Sequence, residues 1–577
     1  MSMNKKILCE IGTFDIPIIQ LQPPFAVDLL DSNIALLGSA MTGKTIFLKT
    51  LVNILHKQWN ELQEQIFILD FGGALAEYKD FPLVSAYFDN SNEEYVKRMF
   101  KILDNILKNN VKDLNGKNFR DSDERLLHTT FLIDNVNAFI SEPRYLAYQE
   151  KLAKLCRDGL SKGITTVMTA VDTKGITSYL GGFKQKIAFE MPQDKYSEIF
   201  NGKVDVIGNN PGHGFANVTV KPDGVTGTFR MNLPYEVQCT YPYGDNDSAG
   251  DTESEFLQKV KDKFEYSDGQ YVKRVKKYQT FPKELTRYEY DYLLQHVKEN
   301  IDYAKNAISV GLDYVDFYPV TLDFEHSQVV TIYGKKEFGK TNLLRLLMNG
   351  LCDKKTDARV VFLDDGRNQL KPIYESINTQ LESVMIHQYE QVDLCFNDDT
   401  KKSKKLSPLQ QFYVYLNENY ITIDKRFLAG IYGVSKELSK EFGKIPDCSL
   451  EQQPFTVFVI QSKLAYLNAN ENKFFMNALL PQLAAVAEER GYLFIFTDVQ
   501  KINDSEQNSF FNNAISSAYL LDNIAEFAGE RGQKTIFGSM DVKSLKEDYA
   551  RCEKGDGYCY DVEADRLMKL KFIKTEE

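Results

Sequence analysis

Residues 38 to 45 read Gly38-Ser39-Ala40-Met41-Thr42-Gly43-Lys44-Thr45 and stand directly between the apolar run NIALLG, residues 33 to 38, and the helical run IFLKTLVNIL. They satisfy G-x-x-x-x-G-K-[ST] without a mismatch, at the strand-to-helix junction that the pattern requires. The glycines let the backbone curl so that successive amides face one anion, and the N-terminus of the following helix adds a favourable field. In such a loop Lys44 reaches the β- and γ-phosphates and Thr45 gives its hydroxyl to Mg2+. The expected cofactors are ATP and Mg2+.

The pattern recurs in the second half as Gly334-Lys335-Lys336-Glu337-Phe338-Gly339-Lys340-Thr341, after QVVTIYG at 328 to 334 and before NLLRLLMNGL. Two occurrences, each where a strand gives way to a helix, make chance a poor account. Thr341 takes the metal-facing position here. The loop interior, however, carries a carboxylate at Glu337 and a bulky ring at Phe338, where small residues normally sit. Nucleotide is therefore expected to be crowded or repelled at this second loop.

Working outward, strand-length apolar runs alternate with helical stretches: QIFILDF at 65 to 71, TTFLIDN at 129 to 135 and GITTVMTA at 163 to 170. The second half repeats the order with RVVFLDD at 359 to 365, FTVFVIQS at 455 to 462 and GYLFIFTDV at 491 to 499. Short apolar runs of this kind indicate buried parallel strands, so the fold class is α/β: two tandem P-loop NTPase domains, each a mainly parallel sheet flanked by helices. The acidic, Gly- and Ser-rich stretch YPYGDNDSAGDTESE at 241 to 255 reads as a solvated connection. The expected division is a first domain at 1–242, a linker at 243–269 and a second domain at 270–577. A polar patch, NDDTKKSKKLSP at 397 to 408, reads as an exposed loop of the second domain.

Hydrolysis needs more than the loop: an acid at the end of a further strand to hold Mg2+ through water, and a base beside it. In the first half that strand is TTFLIDN, where Asp134 can serve the metal but Asn135 cannot accept a proton. In the second half Gln461 and Ser462 stand where both acids are expected. Loss of a positioned base commonly costs two to four decades in rate. No catalytic residue is therefore assigned with certainty. The competing assignment gives the role in the second half to Asp364 and Asp365, or to Asp498; against it, VFLDD follows the loop so closely that it reads as the strand next to it.

Composition narrows the class further. The 577 residues carry a formal charge of −12, which argues against a surface that tracks a nucleic-acid backbone. No run of about 18 apolar residues suggests a membrane-spanning helix. Eight cysteines, with no CxxC pair and no zinc-like spacing, read as reduced and mostly buried thiols.

Several boxes taken in order resemble a known group. FILDFGGALAEYKDFPLV at 67 to 84, IDNVNAF at 133 to 139, CRDGLSKGITTVMTA at 156 to 170 and NPGHGF at 210 to 215 look like the second ATPase module of the FtsK/SpoIIIE-type coupling ATPases of type VII secretion systems, the EssC/EccC family. VFLDDGRNQL, FVIQSKLAYL, ERGYLFIFTDVQ and KGDGYCYDVEAD are similar to the third module. The resemblance implies RecA-like domains from the C-terminal cytosolic part of a larger membrane protein, at the cytoplasmic side of the membrane. It further implies that helical WXG100-type secretion substrates bind these modules and that other modules and subunits of the complex assemble with them; given the acidic balance, no nucleic acid is expected as a partner. It tempts an arginine-finger role for Arg157 in CRDGLSKG; an ion pair with Asp158 is the preferred reading. The expected function is nucleotide and substrate binding with weak or regulatory ATP turnover, the alternatives being an active DNA- or protein-translocating motor and a nucleotide-independent scaffold.

Overall fold

In the computed structural model the chain divides into two compact units, Met1–Thr280 and Phe281–Glu577. The structure describes residues 5–17, 20–58, 63–122, 126–200, 204, 210–217, 233–242, 255, 257–259, 262, 275–295, 307–324, 326–334, 337–364, 368–381, 383–388, 455–461, 491–498, 516–521, 552–561 and 566–575. The patch at 397 to 408 lies outside them, as do Lys335, Lys336, Asp365 and Ser462.

The first unit contains β1 (Leu8–Asp15), β2 (Pro24–Asp28), β3 (Ile34–Leu37), β4 (Glu64–Asp70), β5 (Val84–Asp89), β6 (His128–Asp134), β7 (Ile164–Ala170), β8 (Gln185–Phe189), β9 (His213–Asn217) and β10 (Pro234–Cys239). They form one sheet in the order β2-β1-β10-β9-β8-β3-β7-β6-β4-β5. From β8 to β5 every pairing is parallel, and the remaining four strands extend the sheet antiparallel. Burial follows this division. Every residue of β3, β4, β6 and β7 is buried, because helices cover both faces of a parallel sheet, whereas β1 alternates exposed and buried positions.

The second unit holds β11 (Ala307–Asp313), β12 (Pro319–Asp323), β13 (Val329–Gly334), β14 (Arg359–Asp364), β15 (Ser383–Gln388), β16 (Thr456–Gln461), β17 (Tyr492–Asp498), β18 (Ser517–Leu521), β19 (Asp556–Asp561) and β20 (Arg566–Phe572). Their order, β12-β11-β20-β19-β18-β13-β17-β16-β14-β15, repeats the first sheet strand for strand. The two units are one topology used twice. One expectation needs correcting: β14 pairs with β15 and β16, while the loop strand β13 pairs with β17 and β18. Nearness in sequence misled because the chain runs out to the sheet edge before the inner positions are filled.

The first compact unit runs on to Thr280. Tyr278 donates its N–H to Ser85 O at 2.7 Å, Lys277 Nζ donates to Val84 O at 2.7 Å, and Arg98 Nη1 donates to Gln279 O at 2.6 Å. Residues 277 to 279 thus cover the open edge that β5 would otherwise present, a common way of blunting a sheet edge. A lysine-rich composition gave no hint of that seat.

Helix α1 (Lys44–Lys57) follows the first loop and buries His56 against Phe81, ring centroids 5.1 Å apart. His56 Nδ1 faces Val52 O at 2.7 Å and its Nε2 accepts the Leu83 N–H at 3.2 Å, so the neutral ring is fully used. Burial lowers its pKa to about 4 from 6.5, with the Val52 contact opposing the shift. A depressed histidine binds fewer protons folded than unfolded between those two values. Stability is therefore full above pH 6.5 and falls as pH drops toward 4, by roughly 3 kcal/mol for this group. Urea titrations of the wild type and His56→Gln should differ in slope across that window; parallel curves would remove the assignment.

Candidate nucleotide site

The first loop spans residues 38 to 45 between β3 and α1, at the carboxyl end of the parallel sheet, where α/β folds place their ligands. Two of its amides are used to anchor it: Gly38 N–H donates to Ala170 O at 3.1 Å and Ser39 N–H to Glu190 O at 2.8 Å. Thr42 Oγ1 closes the turn onto Ser39 O at 2.9 Å. Gly43, at φ 101°, caps α1 from the left-handed region that glycine enters freely. Lys44 Nζ donates to Gly38 O and Ser39 O, each at 2.6 Å, so the ammonium lies across the mouth of the loop. Burial lowers its pKa, and the Asp134 carboxylate opposes that. Ala40 and Met41 are exposed at the tip, while Thr45 is half-buried at the start of the helix.

Asp134 ends β6, two strands from the loop strand with β7 between. Its Oδ1 accepts from Thr169 Oγ1, whose oxygen in turn accepts the Asn135 N–H at 2.8 Å. Burial raises the Asp134 pKa and the Asp70 charge adds to it, while Thr169 and Lys44 pull it back. Asn135 sits at φ 58° and caps helix α2 (Val136–Ser141), and Phe139 of that helix packs against Phe71 and Tyr145. The structure therefore places the charges of Lys44 and Asp134 where each acts on the other, with Asn135 immediately after the acid.

Asp70 was not singled out from the sequence. It ends β4 directly beside Asp134 in register, is fully buried, and accepts from Gly72 N–H, Gly73 N–H and Leu75 N–H at 2.7–2.9 Å and from Tyr87 Oη at 3.0 Å. Four donors hold this carboxylate in the turn that flanks the acid. Its signal was legible: an Asp two residues before Gly-Gly favours a side-chain-closed turn. Arg157, by contrast, lies exposed on a π-helical turn, Leu155–Gly159, and forks onto Asp158 at 2.9 and 3.1 Å.

The second loop has the same frame with different filling. Gly339 caps the helix Lys340–Lys354 at φ 106°, and Lys340 Nζ donates to Gly334 O. Glu337, at φ 71° and exposed, takes the place of Met41 at φ 64°; Thr341 is also exposed. Phe338 packs against the apolar core of its unit, so its ring is spent inward. Along the sheet, Gln461 ends β16 as Asp134 ends β6, and Thr497, its partner on β17, corresponds to Thr169. Asp364 ends β14, the counterpart of Asp70, and Asp498 pairs with Tyr333 as Ala170 pairs with Leu37. Among the described residues no cluster of acids, histidines and cysteines could hold a metal by itself, and no helix is long and apolar enough to cross a membrane. Among the described residues, cysteines 9, 156, 239, 352 and 559 form no disulfide.

A family model described as the bacterial DnaA ATPase domain matches residues 324–438. In sequence the chain is 23% identical over 384 residues to the type VII secretion system protein EssC of Staphylococcus aureus; the match covers 63% of this chain and 24% of that protein. The chain thus spans about a quarter of that relative. In structure it matches ATPases 2 and 3 of EssC from Geobacillus thermodenitrificans with a TM-score of 0.61 at 19% identity, covering 100% of this chain and 98% of the other. ATPases 2 and 3 of Thermomonospora curvata EccC, solved with a signal sequence peptide, match with a TM-score of 0.61 at 16% identity over 99% and 93% of the two chains. The fold is that of the tandem ATPase modules, whole chain against whole chain.

Proposed function

We propose that this chain is a pair of regulatory nucleotide-binding modules of a type VII secretion ATPase: the first unit binds ATP and turns it over weakly, and the pair binds secretion substrates. One observation carries the reading. The first unit joins a complete loop to a buried acid, Asp134, whose charge acts on Lys44, yet the residue after the acid is Asn135. Binding groups are present and the water-activating base is not.

The residues fit MgATP. Lys44 and the remaining loop amides suit phosphate oxygens, and Thr45 and Asp134 suit a Mg2+ reached directly and through water. A bound Mg2+ would neutralise charge developing on the phosphates. Asn135 can orient a water and cannot take its proton, so turnover stays low. In the second unit Gln461 stands in the metal-acid position, which weakens metal binding there further. Substrate recognition is supported by the likeness to EccC solved with a signal sequence peptide, and WXG100-like proteins are the partner class we propose.

A thermal melt tests the nucleotide half. At 100 times its dissociation constant a ligand adds about 2.7 kcal/mol of stability. Addition of MgATP is expected to raise the melting temperature of the wild type, with phosphate release far slower than in a motor ATPase. No shift with ATP and Mg2+ would favour the scaffold, and fast release would restore the motor.

A further inference from the structure

The turn Asn210–Phe215, carrying the NPGHGF box, leads into β9 and touches the first loop from the side. Gly212, buried at φ 79°, donates its N–H to Thr42 O at 2.9 Å and accepts the Cys239 N–H from β10 at 2.9 Å. The fit is close: a Cβ on Gly43 would come 2.7 Å from Gly212 N. In a trans peptide the C=O and the next N–H point in opposite directions. Holding Thr42 O against Gly212 therefore turns the Gly43 N–H away from that turn.

The second unit supplies the comparison. Gly555, at φ 89°, precedes β19 as Gly212 precedes β9, and it accepts the Phe572 N–H from β20 at 2.9 Å just as Gly212 accepts from β10. Its own N–H has no backbone acceptor among the described residues, and a Cβ built on it meets nothing within 4 Å. A Cβ on Gly339 meets only the Leu521 side chain, at 3.4 Å. The turn is repeated, but among the described residues its grip on the loop is not.

We propose that Gly212 is a positioning residue for nucleotide in the first unit: its N–H draws the Thr42 carbonyl off the phosphate side of the loop and aims the Gly43 N–H at the anion, a contact the Gly555 turn does not make among the described residues. A carbonyl left facing phosphate would repel it, and an amide in its place attracts it. The inference rests on the reading that the first loop binds ATP.

The test uses the whole chain carrying Lys340→Ala, so that a fluorescent ATP analogue with Mg2+ reports on the first loop alone. Gly212→Ala strains a left-handed position and pushes a methyl toward Gln238 and Cys239, which shifts the turn. Its dissociation constant is expected to rise about tenfold, the worth of one well-aimed hydrogen bond to a charged group. Gly116→Ala carries the same strain at φ 87° with nothing within 4 Å, and should lower the melting temperature without changing affinity. Equal losses of affinity in both variants would make the effect structural and overturn the proposal, as would an unchanged constant in Gly212→Ala. Absence of binding in the parent chain would instead sink the nucleotide reading beneath it. Hydrogen exchange needs no variant at Gly212. Saturating MgATP should slow exchange of the Gly212 amide by linkage and leave Gly555 unchanged, and no slowing at Gly212 with the loop filled is the opposing result.

Discussion

Replacing Lys44 by alanine is expected to raise the dissociation constant for MgATP at the first loop about 100-fold or more, while Lys340→Ala leaves that constant unchanged. The ammonium is half-buried and already lies across the loop on Gly38 O and Ser39 O, so little reorganisation separates it from phosphate oxygens. Bonds from an ionised donor to an ionised acceptor are worth about 1.5–3 kcal/mol each, and a lysine reaching two phosphates makes at least two. Their joint loss corresponds to two decades or more. Equilibrium titration with labelled ATP measures it directly. Tight binding that survives in Lys44→Ala would show that the site lies elsewhere in the chain. The effect at Lys340 on its own loop is expected to be smaller, because Glu337 brings a carboxylate to that loop and Gln461 ends the strand where a metal acid is needed.

What the sequence made legible was whatever is written in neighbours. Both loops, the parallel strands that flank them and the order of Asp134 and Asn135 follow from residues adjacent in the chain, where apolar runs and glycine spacing report burial and curvature directly. The antiparallel half of each sheet was less visible. Strands such as LCEIGTFD and PYEVQC alternate weakly, and their pairing, β1 with β10, joins residues from opposite ends of the unit. Gly212 shows the same limit at the site: NPGHGF is recognisable as a turn, but its bond to Thr42 depends on a sheet position reached only after the whole unit closes. The seat of the segment before Thr280 was hidden for a related reason. Residues 277 to 279 look like surface and are held by Phe81, Val84, Ser85 and Arg98, nearly 200 positions away.

At the other end of the same strands, opposite the loops, Glu64→Leu is expected to destabilise the first unit by roughly 3–5 kcal/mol without touching nucleotide affinity. Glu64, fully buried at the start of β4, faces His128 Nδ1 at 2.7 Å and accepts from Thr130 Oγ1 at 2.9 Å, while His128 Nε2 meets Thr165 Oγ1 at 3.0 Å. A leucine there leaves the imidazole and a hydroxyl buried without their partner, and each such group costs about 1–3 kcal/mol. The effect is separable from the site because the network tethers β4, β6 and β7 at their amino ends and the loops sit at their carboxyl ends. Hydrogen exchange of the β4, β6 and β7 amides in urea follows this unit alone. Glu64→Leu combined with His128→Leu should recover part of the loss, since removing both partners avoids the orphaned ring. A loss below about 1 kcal/mol in the single variant, or strict additivity in the pair, would show that the network does not hold these strands together.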